Sequence, residues 1–341
     1  MPTPSPPPPS SPRLLWAIVA VATIAIIAVG TVVILTLTSA PDSSAISRPR
    51  ISEQIWQLTR SSGRNGEPTW SPDGRLVAFS SNRSGNFDIW VQSIDGGNAV
   101  QVTHSPAHDS QPDWSRDGRI AFRSERDGGG LYVVPAIGGM ERQVAAFGFH
   151  PRWSPDGTRI LFQRSNVQTR VSTSRELYVV AMDGREPSQV LQWAVEDFTS
   201  FSVAWHSDSS RVSMWGTRRD NSLAFVTAPL DGGTAITSTM SDEVRSQVFS
   251  ENVRFADSDN VPLPFVWDPA GDALYLEGNA RGVPGLWKVP ADSATLRWSG
   301  PPVRLTTSAD LNAGLSLSRD GRKLAFAQPS GNIWILDGLK R

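Results

Sequence analysis

Glu67-Pro68-Thr69-Trp70-Ser71-Pro72-Asp73-Gly74-Arg75-Leu76-Val77-Ala78-Phe79 is the stretch on which the fold turns. Pro68-Thr69-Trp70 is short and apolar. Ser71-Pro72-Asp73-Gly74 places proline at the second turn position and glycine at the last, which predicts a type I turn closed by a left-handed residue, a hairpin connection. Leu76-Val77-Ala78-Phe79 reads as a buried strand. Downstream, Ser81 to Asn86 form a polar loop, and Asp88-Ile89-Trp90-Val91 a third strand ended by Asp95-Gly96-Gly97. Val100-Gln101-Val102-Thr103 is a fourth. Four short antiparallel strands of this kind make one blade of a β-propeller.

The phrase recurs. Trp-Ser-Pro-Asp-Gly stands intact at Trp70 and Trp153, and with Arg116 in place of proline after Trp114. Looser copies begin at Trp205, Trp267 and Leu317. The third strands align too, with Trp90, Tyr132, Tyr178, Phe225, Trp287 and Trp334 in the middle place. Rings at such positions are expected to pack sheet on sheet. A period of a few tens of residues marks a repeat architecture, and the count predicts six blades. The last unit runs out after its third strand. A spare fourth-strand copy, Ile55-Trp56-Gln57-Leu58-Thr59, precedes the first unit and is similar to Val100-Gln101-Val102-Thr103 and Val303-Arg304-Leu305-Thr306. It is expected to complete the sixth blade and hide the edge of an open ring. The expected fold class is all-β: a six-bladed β-propeller closed by the N-terminal strand, preceded by one transmembrane helix.

That helix is expected over residues 14–38. No charged residue occurs from Leu14 to Ala40, and the run exceeds both the roughly 20 apolar residues needed to cross hydrocarbon and the length of a signal-peptide core. Residues 1–13 read as a disordered Pro-rich tail, 39–53 as a linker and 54–341 as the propeller. With Arg13 on one side and Asp42, Arg48 and Arg50 on the other, charge gives little orientation. The short tail favours an inside N-terminus and a propeller outside the cytoplasm, in a bacterial inner membrane.

Composition excludes several chemistries. Net charge is −1, so the basic footprint of a nucleic-acid binder is missing. There is no cysteine, which removes disulfides and thiolate catalysis. No Gly-x-Ser-x-Gly elbow, phosphate-binding loop or His-Glu-x-x-His pair occurs. The aspartate of Ser-Pro-Asp-Gly reads as a turn residue bonding its own backbone. His104, His108, His150 and His206 form no partnered ligand set, so neither metal nor cofactor is expected.

The unit Pro-x-Trp-Ser-Pro-Asp-Gly … Ala-Phe-x-Ser … Ile-Trp-Val … Asp-Gly-Gly … Leu-Thr resembles the WD40-like PD40 repeat of TolB-like propellers, with 67–97 the best match. The resemblance implies a β-propeller. TolB carries an α/β domain ahead of its propeller and is a soluble periplasmic protein. This layout is more similar to bacterial membrane proteins that hold such a propeller outside the cell membrane, some joined to a cytoplasmic regulator or kinase. Related propellers that cleave pectate fragments hold a metal with histidines, so an enzyme of the metal-dependent lyase or glycan-hydrolase type is the alternative.

The loops joining blades should ring the axis on one face. Glu67, Asp109, His150, Glu196, Asp197, Asp259 and Asp310 on them form a candidate partner-binding mouth. Arg83, Arg126, Arg218 and Arg281, on loops farther out, form a candidate basic rim. The competing reading is that these arginines pair with neighbouring acids and tie loops together. The expected role is a protein-binding scaffold or sensor for a protein partner or envelope ligand, without catalysis.

Overall fold

The computed structural model describes residues 54–60, 62–165, 176–220, 222–249, 264–280, 283–298, 300–306, 312–328 and 330–339. The chain divides into two units, Met1–Arg48 and Pro49–Arg341, and all described residues lie in the second. The expected membrane segment, 14–38, falls outside them. Among the described residues no helix is long and apolar enough to cross a membrane.

Six four-stranded antiparallel sheets follow one another along the chain. The opening strand, β1 (Gln54–Gln57), belongs to the last of them. Blade 1 comprises β2 (Asn65–Trp70), β3 (Leu76–Ser81), β4 (Asp88–Ser93) and β5 (Val100–Gln101). Blade 2 is β6 (Asp109–Trp114), β7 (Arg119–Ser124), β8 (Gly130–Pro135) and β9 (Arg142–Ala145). Blade 3 is β10 (Phe149–Trp153), β11 (Arg159–Gln163), β12 (Leu177–Ala181) and β13 (Ser188–Val190). Blade 4 is β14 (Phe198–Trp205), β15 (Arg211–Arg218), β16 (Leu223–Pro229) and β17 (Ile236–Thr237). Blade 5 is β18 (Phe265–Trp267), β19 (Ala273–Ala280), β20 (Val283–Pro290) and β21 (Val303–Arg304). Blade 6 is β22 (Asn312–Leu317), β23 (Lys323–Ala327) and β24 (Ile333–Asp337), completed by β1.

The repeated turn does what its letters predict. Gly74 takes φ 67° and its N–H donates to Ser71 O at 2.9 Å. Ser71 Oγ donates to Asp73 Oδ1 at 2.6 Å, and that oxygen also accepts from Arg75 N. These hydrogen bonds, led by the one from Ser71, lower the Asp73 pKa. The same Ser–Asp bond recurs at Ser154–Asp156 and Ser318–Asp320. The aspartate is therefore a turn residue.

Ring closure is direct. β1 pairs antiparallel with β24, Gln54 opposite Asp337 and Gln57 opposite Trp334. Just past β1 the Ile333 N–H donates to Thr59 Oγ1 at 2.9 Å. Thr103 and Thr306 accept in the same way from Ile89 N and Leu286 N. Each threonine ends a Leu-Thr or Val-Thr pair, so this shared bond accounts for the resemblance of the three segments.

The core is distributed. Six apolar clusters lie between successive blades; Ala78, Ile89 and Val91 of blade 1 meet Ile120, Phe122 and Tyr132 of blade 2, for example. Blades 4 and 5 depart from the simple pattern. A short helix, α1 (Gln192–Val195), precedes blade 4, and α2 (Asp242–Val248) follows it. Ser241 caps α2, its Oγ accepting from Val244 N at 3.3 Å. Asp242 and Glu243 occupy its first turn, where the helix dipole favours acids, and Val244 and Val248 bury one face. Seven residues with one capping serine carry too little periodicity to be read beforehand.

Candidate functional site: the axial channel

First strands of successive blades touch round the ring and enclose an axial channel. Its loop end is built from a bulge. Glu67, Gln111 and His150 each precede a proline and each hold positive φ, at 54°, 57° and 53°. The pairing of each first strand with its neighbour shifts register there. Left-handed backbone ahead of proline is unfavourable, so these bulges persist only because neighbouring blades hold them. Gln111 N donates to Glu67 Oε2 at 2.7 Å, and His150 N donates to Gln111 Oε1 at 2.7 Å. Each side chain thus accepts from the bulge backbone of the next blade. Burial raises the pKa of Glu67 against the lowering effect of the bonds from Gln111 and Ser80. One step along the strand the pattern repeats: Trp114 N donates to Thr69 Oγ1 at 3.2 Å and Trp153 N to Asp113 Oδ2 at 2.6 Å.

Of the candidate mouth residues, Glu67 and His150 join this ladder. Asp109 does not line an open mouth. It is buried, and its Oδ2 accepts from Arg126 Nη2 at 2.7 Å. Arg126 also pairs with Glu141 and lies over the Tyr132 ring. Asp197 is exposed and paired with Arg218 at 3.0 Å, and Glu196 is exposed beside it. Arg83 bonds Asn65 Oδ1 and Ser81 Oγ and stacks on Trp90. Asp259, Asp310 and Arg281 lie outside the described residues. Arg126 and Arg218 are thus paired with acids of their own neighbourhood. Gln111, the middle rung, was missed by sequence reasoning. Its signal was the shared x-Pro-x-Trp spacing of Glu67, Gln111 and His150.

The other end of the channel carries a cavity of about 420 Å³, formed by all six blades. Its wall is the set of repeated tryptophans, Trp70, Trp114, Trp153, Trp205 and Trp267, with Leu317 in the sixth place. Three of those indoles are tied: Trp70 Nε1 to Ser316 O, Trp205 Nε1 to Arg152 O and Trp267 Nε1 to Ser213 Oγ. Trp114 Nε1 and Trp153 Nε1 are buried with no partner among the described residues. Around the rim stand the second residues of the six turns: Pro72, Arg116, Pro155, Ser207, Pro269 and Arg319. Asp113 is the ionisable group deeper in. Burial pushes its pKa up to about 6, opposed by Arg152 and by the bond from Trp153 N. Asp268, buried in the wall, accepts from Ala270 N. Among the described residues no three His, Asp or Glu side chains are grouped to hold a metal ion.

Comparison with known proteins agrees with the repeat. Residues 46–173 match PD40, the TolB beta propeller domain. This stretch belongs to the PD40 family. Short segments match curated proteins. Tol-Pal system protein TolB of Bordetella pertussis is 46% identical over 43 residues, 13% of this chain and 10% of that protein. An uncharacterized Agrobacterium fabrum protein, Atu1656, is 41% identical over 46 residues, 14% of this chain and 16% of that protein. This chain therefore spans a small part of either relative. Among solved structures, a TolB candidate from Agrobacterium tumefaciens aligns with a TM-score of 0.56 at 15% identity, covering 86% of this chain and 100% of that one. XC5397 of Xanthomonas campestris, described as a gluconolactonase, aligns at 0.57 with 12% identity, covering 85% of this chain and 91% of that one. At these identities the likeness is one of fold. PD40 blades thus share their architecture with a propeller enzyme.

Proposed function

We propose that this chain is a single-pass, membrane-anchored PD40 propeller outside the cytoplasm, a non-catalytic scaffold or sensor whose protein partner docks at the turn end of the axial channel. The observation that carries the reading is the tryptophan-walled cavity. Its size suits a ligand site, its aromatic wall suits a protein hot spot, and two of its indole N–H groups have no partner among the described residues. At the loop end, by contrast, Asp109 is paired with Arg126 and Asp197 with Arg218. Kinship with a TolB beta propeller supports protein binding, and the uncharged run at 14–38 supports the anchor.

Photo-crosslinkers placed at Ser207, on the cavity rim, and at Asp220, on a loop at the other end, test the reading in intact membranes. The expected adduct forms from position 207 alone; adducts from position 220 alone would move the docking surface to the loops. A reporter that works only in the cytoplasm, fused after Arg341, is expected to stay silent. One observation favours an enzyme instead: Asp113, with its raised pKa, is suited to proton transfer. Turnover of a glycan or lactone that vanishes in Asp113→Asn would support that second reading.

A further inference from the structure

Two cations share the rim of the cavity, and among the described residues neither is paired with an acid. Arg116 and Arg319 stand where proline occupies the matching turn position in blades 1, 3 and 5. Both side chains run to the same place, the turn of blade 3. Arg319 Nη2 crosses from blade 6 to donate to Pro155 O at 3.2 Å. The aliphatic stem of Arg116 lies against Gly157, where an added Cβ would sit 2.8 Å from Arg116 Cγ. Both arginines are exposed, and neither forms an ion pair with a described residue. The acids nearby are engaged elsewhere. Asp117 pairs with Arg119. Asp156 accepts from Ser154 and Thr158. Asp113 faces Arg152 and Trp153 N deeper in the channel. The Arg319 guanidinium and the Arg116 stem thus meet the same turn, and the planar fork of arginine fits a carboxylate with two parallel bonds.

We propose that the turn-end cavity binds a carboxylate-bearing peptide segment, an acidic side chain or chain terminus of the partner, clamped between Arg116 and Arg319 with its flanking residues against the tryptophan wall. This rests on the protein-docking reading above. Charge complementarity selects the occupant: a cationic rim over an aromatic wall accepts an acid flanked by apolar residues and rejects a basic segment. Arg319 is the movable half of the clamp. Its single bond is to a neutral carbonyl, which a carboxylate oxygen replaces with a stronger, charge-assisted one.

The test is an array of random hexapeptides, each displayed with a free and with an amidated C-terminus, probed with the purified propeller. The variants are Arg116→Gln, Arg319→Gln and the double Arg116→Glu/Arg319→Glu. Enrichment of peptides bearing Asp, Glu or a free terminus is expected. Each Gln variant should weaken them about tenfold or more, since a charge-assisted bond is lost, and the double Glu variant should turn the preference to basic peptides. Enrichment of neutral peptides, unchanged in the Gln variants, overturns the carboxylate clamp and leaves protein docking standing. An array with no enrichment above that of a variant whose rim is blocked by Ser207→Trp overturns both. The substituted arginines are exposed and form no ion pair with a described residue, so the fold is expected to survive, and an unchanged melting curve checks it.

Discussion

Blades 1 to 3 and blades 4 to 5 solve one packing problem in two ways. In the first three, the inner strands are laced by directed polar bonds: Glu67 to Gln111, Gln111 to His150, Thr69 to Trp114 and Asp113 to Trp153. Between blades 4 and 5 a dense aromatic cluster takes over. Trp215, Phe225, Phe249, Phe265, Trp267, Trp287 and Trp298 bury together, with Val244 and Val248 of α2 among them. Phe225 alone meets the rings of Phe265, Trp267 and Trp298 within 6 Å. The laced blades are the ones whose turns keep the repeat. The aromatic ones carry the helices and an excursion at Trp298, which bridges Met240 and Ala291. Polar lacing fixes geometry and needs particular letters at particular places. Aromatic bulk tolerates sequence drift, because volume and contact decide its stability.

The contrast can be broken from its heavier side first. Trp298 is 1% exposed, and Trp298→Ala should cost about 3–5 kcal/mol, read as a fall in the denaturation midpoint. A loss below 1 kcal/mol would mean that blades 4 and 5 rest on something else. Gln111→Ala is next. It strands the His150 N–H, which donates to Gln111 Oε1, at about 1–3 kcal/mol, whereas Gln111→Glu keeps an acceptor for that N–H and should lose less. Thr59→Val should cost about 1 kcal/mol by removing the acceptor for Ile333 N, and Thr103→Val a similar amount, if seam and ordinary blade are equivalent.

A further effect is in pH. The Asp113 pKa is raised from 3.8 to about 6 in the folded protein. Its protonated form is therefore favoured by folding. The stability it lends is complete below pH 3.8 and declines as pH rises through about 6. Asp113→Asn should flatten that part of the stability profile and leave its acid limb alone. An unchanged slope between pH 4 and 6.5 would show that Asp113 is already ionised there.

Much of this fold can be read from the letters, because each blade announces itself locally. Turn, strand and aromatic position recur within one unit, and the copy at Ile55-Trp56-Gln57-Leu58-Thr59 pointed to the seam. What lay hidden depends on residues that meet only once the ring exists. The ladder joins Glu67 to Gln111 and Gln111 to His150, each about one repeat apart. The cavity takes one residue from each of six turns. Arg116 looked like a decayed proline, and only the contact of Arg319 with Pro155 across the channel gave that substitution a meaning. The loop arginines illustrate the reverse: Arg126 and Arg218 read as a rim from sequence, while their partners Asp109 and Asp197 are chosen by the folded loops. The α2 helix was missed for lack of length.

The seam also sets an order of events during synthesis. Gln54 leaves the ribosome well before its partner Asp337 is made. At about 5–20 residues per second, the roughly 280 residues between them take on the order of half a minute. Throughout that interval the nascent chain carries an unmated strand and an open row of main-chain donors and acceptors. Closure of the ring therefore waits until blade 6 has been made, and it is the step most exposed to chaperones and to pairing with the wrong neighbour.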